Sequence, residues 1–132
     1  KIAVVGAGAS GAEIASAYQI SRNHLVKVAH LLGSKGYLDT SQGPSGGLQL
    51  SRPPESIRLG DVVLQTEPNL NLVECFNVEK NTCPIIGVCL LEQILYEARE
   101  EFVESLNRYT LADLLTPSET RTKRMRKLGL PT

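Results

Sequence analysis

Apolar side chains recur every three or four residues along four stretches of the chain, and this period is typical of amphipathic helices. Ser21 is a suitable N-cap for the second stretch, and Pro68 is placed to stop the third. Residues 109–115 are predicted to continue the last helix up to Pro117. The helices are predicted at residues 12–18, 21–32, 59–66 and 90–106.

Between the second and third helices the pattern changes from helical spacing to alternation. The runs Tyr37–Thr40 and Leu48–Leu50 alternate apolar and polar side chains, as short strands do. The Gly- and Ser-rich residues 41–47 between them predict a flexible hairpin tip. The predicted fold class is therefore mainly α with a small β-hairpin, arranged as a winged helix-turn-helix followed by a long helix.

The second helix of a winged helix-turn-helix lies in the major groove of DNA, where its first turn meets base edges. Leu25 and Val28 are placed to anchor this helix to the core, which leaves its polar face outward. Asparagine can pair with adenine, and arginine with guanine. The same pattern also fits an ordinary surface helix with a solvated polar face. The candidate DNA contacts are Ser21, Arg22, Asn23, His24, Lys27 and His30 on the helix, and Gln42 and Ser45 on the hairpin.

The charge balance neither requires nor excludes nucleic acid. The formal net charge is zero, so attraction through overall positive charge is excluded. The charge is nevertheless uneven, because residues 92–104 carry five glutamates against one arginine, whereas residues 121–127 carry five basic side chains and no acid. This asymmetry is compatible with one surface that faces a polyanion. We expect the basic tail, residues 116–132, to be flexible.

Composition favours a cytoplasmic protein. No apolar run approaches the roughly 20 residues that span a bilayer, so we expect no membrane partner. No charged-then-apolar leader is visible. Three cysteines fit poorly with a secreted disulfide framework, and in a reducing compartment clustered cysteines more often bind metal or do redox chemistry. No catalytic residues are identified, and the chain is not expected to be an enzyme.

Cys75, Cys83 and Cys89 follow the spacing C-x7-C-x5-C. This spacing matches neither the paired cysteines of a zinc finger nor a ferredoxin run. Three thiolates on one loop can still converge on a metal or cluster, and Glu92 lies one helical turn beyond Cys89 as a candidate fourth ligand. Zinc on the same four residues, or inert buried cysteines, remain alternatives.

Gly6, Gly8 and Gly11 form a G-x-G-x-x-G pattern between a short apolar run and an Ala-rich helix. In a dinucleotide-binding unit these glycines would approach a pyrophosphate at the helix N-terminus. The segment 25–32, in the place of the required second strand, contains no acid to hold the ribose. A dinucleotide-binding or oxidoreductase fragment is therefore the alternative function.

From Ala12 to Leu115 the chain resembles the family of winged-helix iron–sulfur transcription repressors that includes NsrR and IscR. The residues around Cys75 look most like the nitric-oxide-sensing NsrR branch. The stretches that carry the resemblance are Ile20–Val28, Gly43–Leu50, Leu72–Phe76, Cys83–Ile85 and Tyr109–Leu115.

The resemblance implies a homodimer paired through the long helix, with a 2Fe–2S or 4Fe–4S cluster on the three cysteines. Nitric oxide would react with the cluster, and the repressor would then release its double-stranded operator DNA. The implied organisation is an atypical Gly-rich segment at 1–11, a DNA-binding region at 12–67, a cluster loop at 68–89, a dimerisation helix at 90–115 and the tail at 116–132.

The chain departs from the family pattern in three places. The Gly-rich Lys1–Gly11 stands where the family has a first helix, which in some members also supplies an acidic cluster ligand to the partner subunit. Pro44 occupies a wing position that is often basic. Glu92 stands where IscR-like members have a histidine three residues after the last cysteine.

Overall fold

The computed structural model of the chain describes residues 10–40 and 47–115, together with Thr122, Lys123, Arg126, Lys127 and Gly129. The described residues form a mostly helical protein with one two-stranded antiparallel sheet, which confirms the predicted fold class. Short 3-10 turns occur at Pro54–Ser56 and Glu74–Phe76. The elements are α1 (Gly11–Ala17), α2 (Arg22–Ser34), β1 (Leu38–Thr40), β2 (Leu48–Leu50), α3 (Leu59–Thr66), α4 (Leu90–Asn107) and α5 (Leu111–Leu114).

The chain divides into two units. The first consists of Lys1–Ile57 with Thr110–Thr132, and its described part contains α1, α2, the hairpin and α5. The second is Arg58–Tyr109 and contains α3, the cysteine-bearing segment and α4. Among the described residues, no helix is both long and apolar enough to cross a membrane.

A capping box starts α1 in the first unit. The Ser10 hydroxyl accepts a hydrogen bond from the Glu13 backbone N–H at 3.2 Å, and the Glu13 carboxylate accepts from the Ser10 N–H at 2.8 Å. The backbone and hydroxyl hydrogen bonds from Ser10 lower the pKa of Glu13. Gly11 is thus the first residue of a helix, whereas residues 1–9, including Gly6 and Gly8, lie outside the described residues.

The connection between α1 and α2 is tight. The Ile20 N–H donates to the Ala15 carbonyl at 3.0 Å, and Gln19 adopts a left-handed φ of 51°. Ser21 caps α2 as predicted, because its hydroxyl accepts from the His24 N–H at 3.2 Å. The helix runs through Gly33 to Ser34 and so exceeds its predicted end by two residues.

The core of the first unit is small and lies between α1 and α2. Ile14 is 1% exposed and Leu25 is 3% exposed, and Ala15 is buried with them. Tyr18, Ile20 and Leu48 pack against this cluster from the turn and the hairpin. Helix α2 is therefore held by its inner face, which leaves the opposite face in solvent.

The hairpin joins directly to the end of α2. Leu38 pairs with Leu50, Asp39 with Gln49 and Thr40 with Leu48. Its base is tied to the helix terminus by Arg52, whose Nε donates to the Gly36 carbonyl at 2.9 Å. The Arg52 guanidinium also lies 4.7 Å from the centre of the buried Tyr37 ring.

In the second unit, α3 crosses α4 at Gly60, which is buried. The Asp61 N–H donates to Oδ1 of Asn107 at 3.0 Å, and Arg58 Nη1 donates to the Asn107 carbonyl at 2.8 Å. A Cβ atom on Gly60 would lie 2.7 Å from the Val103 carbonyl oxygen and would also clash with the Asn107 side chain.

We therefore expect Gly60→Ala to destabilise the protein by about 1–3 kcal/mol, since the added methyl group forces two packed helices apart. Chemical denaturation of the variant and the wild type measures this difference. Gln65→Ala, at an exposed position of the same helix, is the control and should change the stability by less than about 0.5 kcal/mol. A Gly60→Ala protein as stable as the wild type would contradict the close crossing.

The predicted continuation of α4 to Leu115 is not observed. Helix α4 ends at Asn107, and Thr110 starts the separate short helix α5. The Asp113 carboxylate accepts from the Thr110 N–H at 2.7 Å and from its hydroxyl at 3.0 Å. These two hydrogen bonds lower the pKa of Asp113. The T-x-x-D capping box therefore begins a new helix instead of extending the old one.

Candidate nucleic-acid interface and cysteine segment

Helix α2 presents all of its predicted DNA-contacting side chains to solvent. The residues concerned are exposed, whereas Leu25 and Ala29 on the opposite face are buried. The separation follows from the helical period, since residues three or four apart share one face. The exposed set is Ser21, Arg22, Asn23, His24, Lys27 and His30.

The exposed face of α2 is free of negative charge along the helix. Arg22 and Lys27 are cationic, and no residue from 22 to 34 is acidic. Asn23 lies between Arg22 and His24 in the first turn, with an amide that can donate and accept at once. Such a face can approach phosphates and read base edges.

The hairpin is described only at its two strands. Its tip, with Gln42, Pro44 and Ser45, lies outside the described residues, so the predicted contacts of Gln42 and Ser45 remain predictions. Arg52 positions the strands relative to α2 through the Gly36 carbonyl, as described above. The base of the hairpin is thus held at the end of α2.

The three cysteines are free thiols and each is partly buried. Cys75 lies in the turn Glu74–Phe76, and Cys89 is the N-cap residue that precedes α4. The Cys83 N–H donates to the Asn81 side chain at 2.9 Å, which shapes the irregular stretch between them. All three thiols therefore belong to one continuous segment of the second unit.

Cys75, Cys83, Cys89 and Glu92 share one electrostatic neighbourhood. The pKa of the Cys75 thiol is raised, first by burial and next by the negative charge of Glu92, with smaller contributions from Cys83 and Cys89. Among the described residues, however, no three His, Cys, Asp or Glu side chains are grouped closely enough to hold a metal ion. In the described residues these four side chains are therefore near one another but do not form such a group.

Glu92 ties the cysteine segment to α4. Its Oε2 accepts a hydrogen bond from the Gly87 N–H at 3.1 Å, and Gly87 has a φ of 79° that permits this turn. Gly87 lies in the stretch between Cys83 and Cys89, so the bond joins that stretch to α4. A carboxylate is therefore held beside the cysteine segment, where the spacing had placed it as a possible fourth ligand.

One group of side chains was missed by the sequence reasoning. The Arg99 guanidinium lies 4.5 Å from the Tyr96 ring centre and 5.0 Å from that of Phe76, the residue after Cys75. The spacing of Glu92, Tyr96 and Arg99 places them on one face of α4 and is visible in the sequence. Their contact with Phe76 is not visible in the sequence, because Phe76 belongs to a distant part of the chain.

The dinucleotide alternative gains no support from the described residues. Gly11 belongs to a capped helix, and this helix leads through a tight turn into α2. A dinucleotide-binding unit needs parallel strands joined by the helix that follows the glycines. The only strand pairing in the described part of the chain is the antiparallel hairpin.

Known proteins similar to this chain were found by sequence. A model of the Rrf2 family, described as iron-dependent transcriptional regulators, matches residues 5–117. A protein of Halalkalibacterium halodurans named HTH-type transcriptional regulator NsrR is 50% identical over 104 residues, 79% of this chain and 71% of that protein. The protein of that name in Bacillus subtilis is 46% identical over 107 residues, 81% of this chain and 73% of that protein.

Solved structures agree with the fold. T. potens IscR matches with a TM-score of 0.62 at 24% identity, covering 80% of this chain and 67% of that chain. A putative transcriptional regulator from Listeria innocua matches with a TM-score of 0.65 at 25% identity, covering 89% and 80%. The chain therefore belongs to the Rrf2 family of iron-dependent transcriptional regulators, and it is a DNA-binding regulator of transcription and not an enzyme.

Proposed function

We propose that this regulator is a repressor that carries an iron–sulfur cluster on Cys75, Cys83 and Cys89 and senses nitric oxide or redox state. One observation carries the proposal. Three free, partly buried thiols lie on one segment, and the Glu92 carboxylate is tied to that segment through the Gly87 N–H. The relatives named NsrR and the iron-dependent family support the same conclusion.

The donor set fits an iron–sulfur cluster, which is bound mainly by thiolates. The chain offers three thiols, and Glu92 offers a carboxylate whose Oε2 is engaged by the Gly87 N–H. The three thiols lie on one irregular segment, which would hold the cluster through Cys75, Cys83 and Cys89. When bound, the cluster would supply iron that reacts with nitric oxide or oxidants.

DNA recognition in this proposal belongs to α2. Arg22 and Asn23 in its exposed first turn would meet base edges, and Lys27 and His30 would approach phosphates. The small buried core behind Leu25 holds the helix at a fixed angle to the hairpin, so the reading face and wing act as one body.

A homodimer is part of the proposal. Helix α4 carries a largely exposed apolar stripe, with Leu91 58%, Ile94 51% and Phe102 53% exposed. A second copy of the same helix would bury these side chains. Helix-turn-helix proteins commonly pair so that two reading helices reach half-sites one DNA turn apart. Sedimentation of the full chain is expected to give a dimer, and a monomer at micromolar concentration would remove this part of the proposal.

Asn23→Ala is expected to weaken operator binding by about 5- to 150-fold, corresponding to about 1–3 kcal/mol for one lost bidentate base contact. The side chain is exposed, so the fold is expected to survive. Fluorescence anisotropy with a labelled operator, selected from random-sequence DNA by the wild-type protein, measures the affinity. Gln65→Ala on α3 is the matched control, because it removes an exposed amide outside the reading face. Equal affinities of Asn23→Ala and wild type would contradict the assignment.

The sensing function is tested with the same selected operator. Addition of a nitric oxide donor under anaerobic conditions is expected to weaken binding of the cluster-loaded protein by at least about tenfold, the scale of an ordinary allosteric coupling. A variant lacking Cys83 should show one affinity before and after treatment. If the loaded wild type binds equally well with and without nitric oxide, the nitric-oxide part of the proposal fails.

A further inference from the structure

Helix α4 has a second functional face beside its apolar stripe. Glu92, Tyr96 and Arg99 follow one another at spacings of four and three residues, so they lie along one side of the helix. Glu92 contacts the cysteine segment at Gly87, and Tyr96 and Arg99 contact it at Phe76. This side of the helix is where the candidate cluster segment is attached.

The contact at Phe76 is a three-part stack. The rings of Phe76 and Tyr96 meet edge to face, with centres 6.2 Å apart and planes at 73°. The Arg99 guanidinium lies over both rings, at 5.0 Å and 4.5 Å from their centres. A planar cation over aromatic faces is attracted by their π electrons and also packs flat against them.

The Arg99 side chain is more protected than its ion-pair partner. It is 22% exposed, whereas Glu100, which it contacts at 2.9 Å, is 57% exposed. An ion pair this open to water contributes little, because solvent screens it. Arg99 also donates two hydrogen bonds to Glu100, but of these contacts the stack is the one that joins α4 to the turn of Cys75.

Phe76 is covalently next to Cys75 in a single short turn. That turn is closed by the Phe76 N–H donating to the Val73 carbonyl at 3.2 Å and by the Asn77 N–H donating to the Glu74 carbonyl at 3.0 Å. Both bonds are local, so neither of them sets the position of the turn against α4. The Phe76 ring, in contact with Tyr96 and Arg99, joins this turn to α4.

We propose that Arg99 is a positioning residue, whose guanidinium clamps Phe76 against Tyr96 and so holds Cys75 against α4. The inference rests on the proposed function only in that Cys75 is then a cluster ligand held at a fixed place. The clamp itself exists without any cluster. It also ties movement of the Cys75 turn to α4, the helix proposed to pair the subunits.

The test follows the reactivity of Cys75 in the reduced, metal-free full chain. Iodoacetamide is added at constant pH, and mass spectrometry of the separate cysteine peptides gives the alkylation rate of each thiol. Arg99→Met keeps the length of the side chain and removes the stack. We expect Cys75 to react about five- to thirtyfold faster in this variant, the increase in opening that follows from losing two weak cation–π contacts.

Three controls separate position from other effects. Tyr96→Leu should accelerate Cys75 alkylation as Arg99→Met does, whereas Tyr96→Phe should keep the wild-type rate because the ring remains. Glu100→Gln should also keep it, since only the exposed ion pair is lost. Faster alkylation therefore reports movement of the Cys75 turn.

Cys83 lies outside the turn that the clamp holds, so its rate should stay within about twofold of the wild type, well below the gain expected for Cys75. An unchanged Cys75 rate in Arg99→Met would overturn the proposal. Equal acceleration of all three cysteines would overturn it too, because it would show general loosening. Since no cluster is present, these outcomes are independent of whether the wild type binds iron, which tests the proposed function separately.

Discussion

Cys83→Ala is expected to abolish binding of the iron–sulfur cluster and to leave the chain folded. Cys83 lies in an irregular segment and supplies one of only three thiols. Its structural hydrogen bond to Asn81 is made by the backbone N–H, which alanine retains. With two thiolates left, a cluster that needs three or four ligands cannot be held firmly. Iron and acid-labile sulfide, measured after anaerobic reconstitution, should fall to background.

Thr82→Ala is the matched control for this loss, because it truncates an exposed neighbour and leaves every thiol in place. This control and Asn23→Ala should both take up as much iron as the wild type. Thermal unfolding followed by circular dichroism should give similar midpoints for Cys83→Ala and the metal-free wild type. A Cys83→Ala protein that still binds a full complement of iron would show that the ligand assignment is wrong.

Ile14→Ala is expected to destabilise the protein by about 2–5 kcal/mol and to remove operator binding with it. Ile14 is 1% exposed and lies at the centre of the small core between α1 and α2. Truncation leaves a cavity behind Leu25, the residue that holds the reading helix from within. Urea unfolding followed by circular dichroism measures the stability, and anisotropy with the selected operator measures the binding.

Ile14→Val is expected to cause a smaller loss of stability than Ile14→Ala. It removes one methylene group and should cost about 0.5–1.5 kcal/mol, with operator affinity close to that of the wild type. Ala12→Ser on the exposed side of α1 should change stability by less than about 0.5 kcal/mol, as surface substitutions usually do. If Ile14→Ala lost no more stability than Ile14→Val, the buried cluster around Ile14 would not be the support of α2.

The helices α1 and α2 and the hairpin could be predicted because their signals are local. The apolar period of α2 determines which side is buried, and Ser21 marks where the helix begins. Alternation in β1 and β2 likewise predicts the hairpin, whereas its register comes from the structure. These features depend on neighbours within a few residues, so the sequence alone was enough to identify them.

Two local signals, both capping boxes, were nevertheless missed. Ser10 and Glu13 form a capping box, but Gly11 between them also completes the glycine pattern that suggested a nucleotide. Thr110 and Asp113 form another, which ends any continuation of α4 beyond Asn107. In both cases a hydrogen bond between a hydroxyl residue and an acid three positions later decides where the chain turns into a helix.

The contacts that assemble the second unit could not be predicted. Gly60 lets α3 pack closely against Val103 of α4. Arg99 stacks on Phe76. In each case the two partners are far apart in the sequence. No periodic pattern encodes such a pairing. For the same reason, the spacing of the cysteines predicts a shared segment but not how closely the sulfurs approach one another.

The anaerobic visible absorption spectrum of the purified full chain, with its iron and sulfide content, tests the proposed cluster most directly. We expect a brown protein with thiolate-to-iron charge-transfer absorption that needs Cys75, Cys83 and Cys89 and is bleached by nitric oxide. That cluster would then control DNA binding by α2, the helix that carries Arg22 and Asn23. A colourless protein that contains zinc, or no metal after reconstitution with iron and sulfide, would contradict it.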